Sequence, residues 1–308
     1  MSLWDKTEAW IDVKTRAGRA LCVLLLFLFL EINTACNPNA SDAKAQAEEA
    51  QTIENKGSDT MVNLALAWAE LYMADHPDIR ISVTGGGSGT GIAAMINGTV
   101  DIANASREMK DEEIGAAQAN GIHPSEYIVA YDAIAVVVHP SNPVDHLTLQ
   151  QISDIYTGEV TNWQEIGGRN GPIVLLSRES NSGTYIYFLE NVVRMGDKES
   201  KLLFSPETLL MPSSEGISVE VRQNPNAIGY DGLGYVTTDQ KILAIASTFG
   251  GSYVLPSVDT VNDGTYPISR PLYMYVPEQP REDVKQYLDW VLESGQTTVF
   301  ELGFVPLH

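Results

Sequence analysis

Three short segments combine hydroxyl side chains with glycine just where a helix is predicted to begin: Gly57-Ser58-Asp59-Thr60, Gly87-Ser88-Gly89-Thr90-Gly91 and Arg178-Glu179-Ser180-Asn181-Ser182-Gly183-Thr184. The first turn of a helix leaves backbone N–H groups without partners and carries a partial positive charge, and serine and threonine hydroxyls add further donors. Any one of these segments is an ordinary N-cap. Three of them, one headed by an arginine, suit an oxyanion site if the fold brings them to one point. Ser58, Thr60, Ser88, Gly89, Ser182, Gly183 and Thr184 are therefore candidates to touch the anion. Arg178 adds a guanidinium able to give two charge-assisted hydrogen bonds to one oxyanion, although a surface ion pair is its other reading.

A carboxylate beside such an anion would set its selectivity. It accepts the hydrogen of a protonated oxyanion and leaves a fully ionised one facing a like charge, which gives discrimination on the order of 10⁴. Asp132, between Tyr131 and Ala133 in an otherwise apolar stretch, is the candidate, with Asp59 and Asp101 as competitors. A salt-bridged carboxylate of the core is the other reading of Asp132.

Motifs for catalysis fail on inspection. Gly86-Gly87-Ser88-Gly89-Thr90 misses the G-x-S-x-G nucleophile elbow at its last position, and the loop has neither G-x-G-x-x-G nor the Gly-Lys of a P-loop. The five histidines are scattered, with no helical pair at metal-ligand spacing. No enzyme chemistry, metal or cofactor is expected. Asn97-Gly98-Thr99 matches a glycosylation sequon and reads as punctuation between a helix and a strand.

The elements that must position these residues alternate as α/β units from Asn55 onward. Met61, Leu64, Ala65, Trp68 and Leu71 recur at helical spacing up to His76-Pro77, and Ile79, Ile81 and Val83 alternate as a strand. Further helices are expected at 92–96, 110–119, 149–155, from Ser182 or Gly183, and at 281–293. Further strands are expected at 100–103, 128–139, 173–176, 227–230, 242–246 and 272–276.

With 308 residues, the chain suits two domains of roughly 100–150 residues. Hydrophobic residues at 44% and charged residues at 19% describe a globular body. The formal net charge of −21, from 19 Lys+Arg against 40 Asp+Glu, argues against a nucleic-acid partner. It leaves a small anion possible, because oriented N–H groups and an arginine act locally.

Lys14, Arg16 and Arg19 precede the apolar run 21–30, which has the length of a signal-peptide core rather than of a bilayer span. Ile32-Asn33-Thr34-Ala35-Cys36 then resembles a bacterial lipoprotein cleavage box, with Asn33 where leucine is usual. Lipidation at Cys36 is expected, with ordinary cleavage nearby or an uncleaved anchor as alternatives. Cys22 and Cys36 are the only cysteines, which excludes a disulfide framework in the body. Residues 37–51, rich in Ala, Glu, Asp and Ser, read as a flexible tether after a leader of residues 1–36.

Taken in order, several blocks resemble the PstS-like phosphate-binding proteins of bacterial ABC importers. They are Gly57 to Met61, Gly85 to Gly91, Val100 to Arg107, Tyr156-Thr157-Gly158 with Thr161-Asn162-Trp163, Ser177 to Thr184, and Ala227 to Tyr230. The resemblance runs from about Asn55 to Leu302. It implies an α/β, type II-like periplasmic-binding-protein fold with two lobes, crossover hinge strands and a ligand cleft between them. Lobe I would comprise 52–136 and 266–308, and lobe II 137–265.

The resemblance also implies a monomeric, non-enzymatic receptor at the periplasm or cell surface, tethered by lipid, that hands inorganic phosphate to importer membrane subunits. Carried over by position, Thr60, the Met61 backbone, Ser88, Arg178, Ser182, Gly183 and Thr184 would be ligands. Where many members have Ala-Ser-Asp, this chain has Ala105-Ser106-Arg107. Either Asp132 takes over as proton acceptor or selectivity is weaker, and Arg107 would add a second cation. Sulfate or molybdate carriage, and a sensing or adhesion role on the same fold, are the alternatives.

Overall fold

The computed structural model describes residues 51–308. The leader, the box ending at Cys36 and the tether lie outside the described residues. Only Gln51 of the tether falls inside, and it opens the first strand instead of closing a linker.

In chain order the elements are β1 (Gln51–Gly57), a 3-10 turn (Asp59–Met61), α1 (Val62–Asp75), β2 (Ile79–Thr84), α2 (Ser88–Ile96), β3 (Ile102–Ala105), α3 (Asp111–Ala119) and β4 (Pro124–Val138). There follow β5 (His146–Thr148), α4 (Leu149–Thr157), β6 (Val174–Arg178), α5 (Gly183–Phe188) with a π turn over Leu189–Val193, β7 (Leu209–Met211), α6 (Ser214–Gln223) and β8 (Ala227–Gly232). The chain closes with β9 (Lys241–Ile242), β10 (Ala244–Ala246), α7 (Val258–Asn262), β11 (Ser269–Pro277), α8 (Glu282–Leu292) and α9 (Gln296–Glu301).

The expected α/β alternation is present, with local shifts. The strand expected at 100–103 begins at Ile102, because the Asp101 carboxylate turns back to accept the Glu54 N–H at 2.8 Å. Periodicity places no helix over 214–223. There Ser213 accepts the Gly216 N–H at 3.0 Å and its cap starts α6.

The main sheet runs β2-β1-β3-β11-β4-β8-β6-β7, with β9 also pairing to β4. One strand joins its two sides. Residues 124–133 of β4 pair antiparallel with β11, and residues 134–138 pair antiparallel with β8. The core divides at the same place. On one side Ile53, Met61, Leu64, Trp68, Leu272 and Tyr287 pack together; on the other Ile134, Val136, Ile155, Tyr156, Phe188 and Tyr230 form a separate cluster.

Each such side chain contributes about 1.5–3 kcal/mol by leaving water, so each half carries its own stabilising core. The run Ile134 to Val138 is buried without alternation, as a strand covered on both faces must be. β4 is thus a crossover strand and β11 begins where the chain returns to the first side, so what they carry at the division faces both halves.

Candidate anion-binding site

Two helix starts from opposite halves meet where the crossover strands divide. Thr60, on the 3-10 turn ahead of α1, places its Oγ1 2.8 Å from Thr184 Oγ1 at the start of α5. Ser88, the first residue of α2, accepts the Ser106 N–H through Oγ at 3.0 Å and lies 3.2 Å from the Ser106 hydroxyl. Gly183 approaches this pair so closely that a β-carbon there would collide with both hydroxyls. Thr60, Ser88, Ser106, Ser182 and Thr184 are all buried.

Each participant has a local cause. Ser182 caps α5, its Oγ accepting the Thr184 N–H at 3.1 Å. Gly87 ends its loop at φ +92°, a left-handed conformation that glycine adopts at no steric cost, and this turns Ser88 inward. The loop is stitched across the halves: Gly89 N–H donates to Asn181 O at 3.0 Å, and Asn181 Nδ2 donates to Gly86 O at 2.9 Å.

The cation beside the hydroxyls is Arg270. Its Nη2 donates to Thr184 Oγ1 at 2.8 Å and to Thr60 Oγ1 at 3.4 Å, while Nη1 donates to Ser106 O at 2.9 Å. Nη2 and Nε also hold Asp132 Oδ2, at 2.9 and 3.3 Å. The Tyr187 ring lies under the guanidinium, its centroid 5.5 Å from Cζ.

Arg270 and Asp132 are direct cross-strand partners on β11 and β4. Asp132 is fully buried and its Oδ1 has no hydrogen-bond partner. Burial raises its pKa above the ordinary aspartate value, against the lowering effect of Arg270. Hydroxyl groups, one guanidinium and one buried carboxylate therefore share a single point. That set can bind an oxyanion and can read whether it carries a proton.

The structure brings together Thr60, Ser88, Asp132, Ser182, Gly183 and Thr184, as the sequence leads one to expect. Met61 lies beside them, its side chain in the core and its N–H donating to Ser58 O at 3.1 Å. Ser58 is buried nearby with its hydroxyl unpartnered, and the Gly89 amide is already bonded to Asn181.

Two of the expected ligands are held by other protein groups in this structure. Arg107 makes a two-pronged pair with Glu113 at 2.7 and 2.8 Å and also donates to Glu108 O. Burial works to raise the Glu113 pKa, but the Arg107 hydrogen bond leads a set of contacts that lowers it overall. Arg178 bonds none of the clustered hydroxyls. Its guanidinium donates to Ser214 Oγ at 2.9 Å, Pro212 O at 3.1 Å and Met211 O at 3.4 Å, with Asp59 3.2 Å away.

Of the competing acids, Asp59 thus faces Arg178, and Asp101 pairs with Arg281 at 3.2 Å, away from the cluster. Among the described residues Ser88 and Ser182 hydrogen-bond Ser106 and the Thr184 N–H, and neither bonds a histidine. Arg270 is the residue that sequence reasoning missed. Its signal was available: a lone cation entering the apolar strand Leu272 to Val276, the counterpart of the lone acid Asp132.

Known proteins resemble this arrangement over nearly its whole length. The profile of the PBP superfamily domain matches residues 42–294. Phosphate-binding protein PstS of Pseudomonas aeruginosa is 35% identical over 291 residues, 89% of this chain and 88% of that protein. Protein SphX of Synechococcus elongatus is 33% identical over 86% of this chain and 80% of its own length.

Among solved structures, one from Clostridium perfringens with bound phosphate, assigned to a phosphate ABC transporter as substrate-binding protein, superposes with a TM-score of 0.75. It is 34% identical and covers 84% of this chain and 100% of its own. An ABC-type phosphate transport receptor from Vibrio cholerae gives 0.66 at 29% identity, over 82% of this chain and 99% of that one.

Proposed function

The chain belongs to the PBP superfamily and, within it, to the PstS phosphate-binding proteins, and on that premise we propose that it captures inorganic phosphate outside the cytoplasm and delivers it to an ABC importer. The observation that supports this most is the meeting of Thr60, Thr184 and Ser88 from two helix starts and a turn beside the Arg270–Asp132 pair. The PstS relatives and the phosphate-bound neighbour supply the ligand's identity.

In this reading phosphate takes hydrogen bonds from Thr60, Ser88, Ser106, Ser182 and Thr184, from the Gly183 amide, and from the Met61 amide once it exchanges Ser58 O for the anion. Arg270 balances its charge. Asp132 accepts the proton of monohydrogen phosphate, which restores the selectivity device that Arg107 displaces from its usual place. The lobes are 52–136 with 266–308, and 137–265, with the return crossing nearer Ser269, since Tyr266 and Ile268 pack in the second core. Closure over the anion excludes water and presents a composite surface to the importer.

The receptor acts as a monomer without catalysis, held at the periplasmic or cell-surface face of a membrane through lipid on Cys36. Isothermal titration after exhaustive dialysis against phosphate-free buffer tests the ligand. Tight phosphate binding with sulfate silent is the expected result. Equal binding of both would replace this reading with a general oxyanion carrier, and binding of neither would end it.

A further inference from the structure

Asp59 stands immediately before Thr60 on the 3-10 turn Asp59–Met61, and three groups grip it: Arg178 and Ser214 from the opposite half, and Tyr235, whose ring packs in the core of Asp59's own half. Ser214 N–H donates to Asp59 Oδ2 at 2.9 Å, Arg178 Nη2 lies 3.2 Å from the same oxygen, and Tyr235 OH donates to the Asp59 carbonyl at 2.8 Å. Arg178 is itself held by Ser214 Oγ and the carbonyls of Pro212 and Met211, and β6 pairs with β7 at Arg178 and Met211. The guanidinium is thus pre-set before Asp59 arrives, so little side-chain freedom is lost when the contact forms. Its side chain is 1% exposed against 18% for Asp59, and water screens the pair only from one side.

We propose that Arg178 is a positioning residue, which with Ser214 forms a clasp that seizes Asp59 as the halves close, sets Thr60 and Met61 against Thr184, and governs how long a bound anion stays. This rests on the reading of the cleft as a phosphate site. It assigns the arginine expected to grip the anion to the protein's own carboxylate instead, and leaves Arg270 as the cation at the ligand. Release of the anion then requires the clasp to open first.

Stopped-flow phosphate binding by the full chain tests it. D59N is expected to speed dissociation about tenfold, as the loss of one charge-assisted hydrogen bond would, with association unchanged. R178K is expected to do the same, and the double variant to dissociate little faster than either single one, because both remove one contact. If R178K fails to fold, S214A replaces it in the cycle.

Arg178 touching phosphate directly predicts a different pattern: R178K abolishes binding, while D59N leaves dissociation unaltered. Either of these overturns the clasp. Should the wild-type chain bind no phosphate, the clasp is read without ligand. Spin labels on K110C and K198C, both exposed and across the recess between the halves, with Cys22 and Cys36 changed to serine, report the separation. A longer or broader distance in D59N supports the clasp, and an unchanged one refutes it.

Discussion

Asp132 and Arg270 lie opposite each other on the two strands that pass between the halves, their charged groups 2.9 Å apart and almost wholly removed from water. A buried pair of this kind contributes little net stability of its own, because desolvation offsets its attraction. Its value is positional. It fixes a cation and a carboxylate at the one place both halves reach.

The pair predicts how selectivity depends on Asp132. D132N should weaken phosphate at least tenfold and admit sulfate, since the amide donates where the carboxylate only accepted. Titration calorimetry with both anions measures it. A variant that still ignores sulfate would remove Asp132 from the selectivity device.

Thr184 should matter through its hydroxyl alone. It accepts from Arg270 and meets Thr60 at 2.8 Å. T184V keeps the shape and removes the hydrogen bonds, so phosphate affinity should fall about 10- to 100-fold. The melting temperature of the ligand-free chain should shift by only a few degrees.

Gly183 is a test of closure. Alanine there would press on the hydroxyls of Ser88 and Ser106 across the division. G183A should fold with near wild-type circular dichroism yet bind phosphate at least tenfold more weakly, because full approach of the halves is blocked. Wild-type affinity in this variant would show that the halves close less tightly around the anion.

Asp231 predicts a pH effect on stability. It is fully buried on β8, one carboxylate oxygen lacks a partner, and burial pushes its pKa up to about 7 despite the nearby Arg178. In the unfolded chain the group titrates near ~3.9. Between these values the folded state holds the extra proton, so its stability falls as pH rises from about 4 to 7 and levels off above that. D231N removes this loss. Relative to wild type its melting temperature should stand higher at pH 8 than at pH 5, by on the order of 5 °C. A difference that does not change with pH would place the Asp231 titration elsewhere.

Much of this was legible in the residues. Hydroxyl and glycine segments mark helix starts because capping is local chemistry, and each of the three lies near the site. Asp132 stood out because an acid in an apolar strand has to meet a partner. Arg107 misled because nothing in its own neighbourhood says that Glu113, one turn into α3, folds back to hold it with both oxygens. Arg178 misled for the same reason at longer range, since Ser214 and Asp59 come to it from distant segments.

Periodicities, caps and the supply of donors follow from neighbours within a few residues, so they can be read along the chain. Which arginine faces the hydroxyls depends on long-range packing. Register between β4 and β11 sets Arg270 against Asp132 across 138 positions of chain, and a buried charge takes the partner that the packing of both halves leaves within its reach.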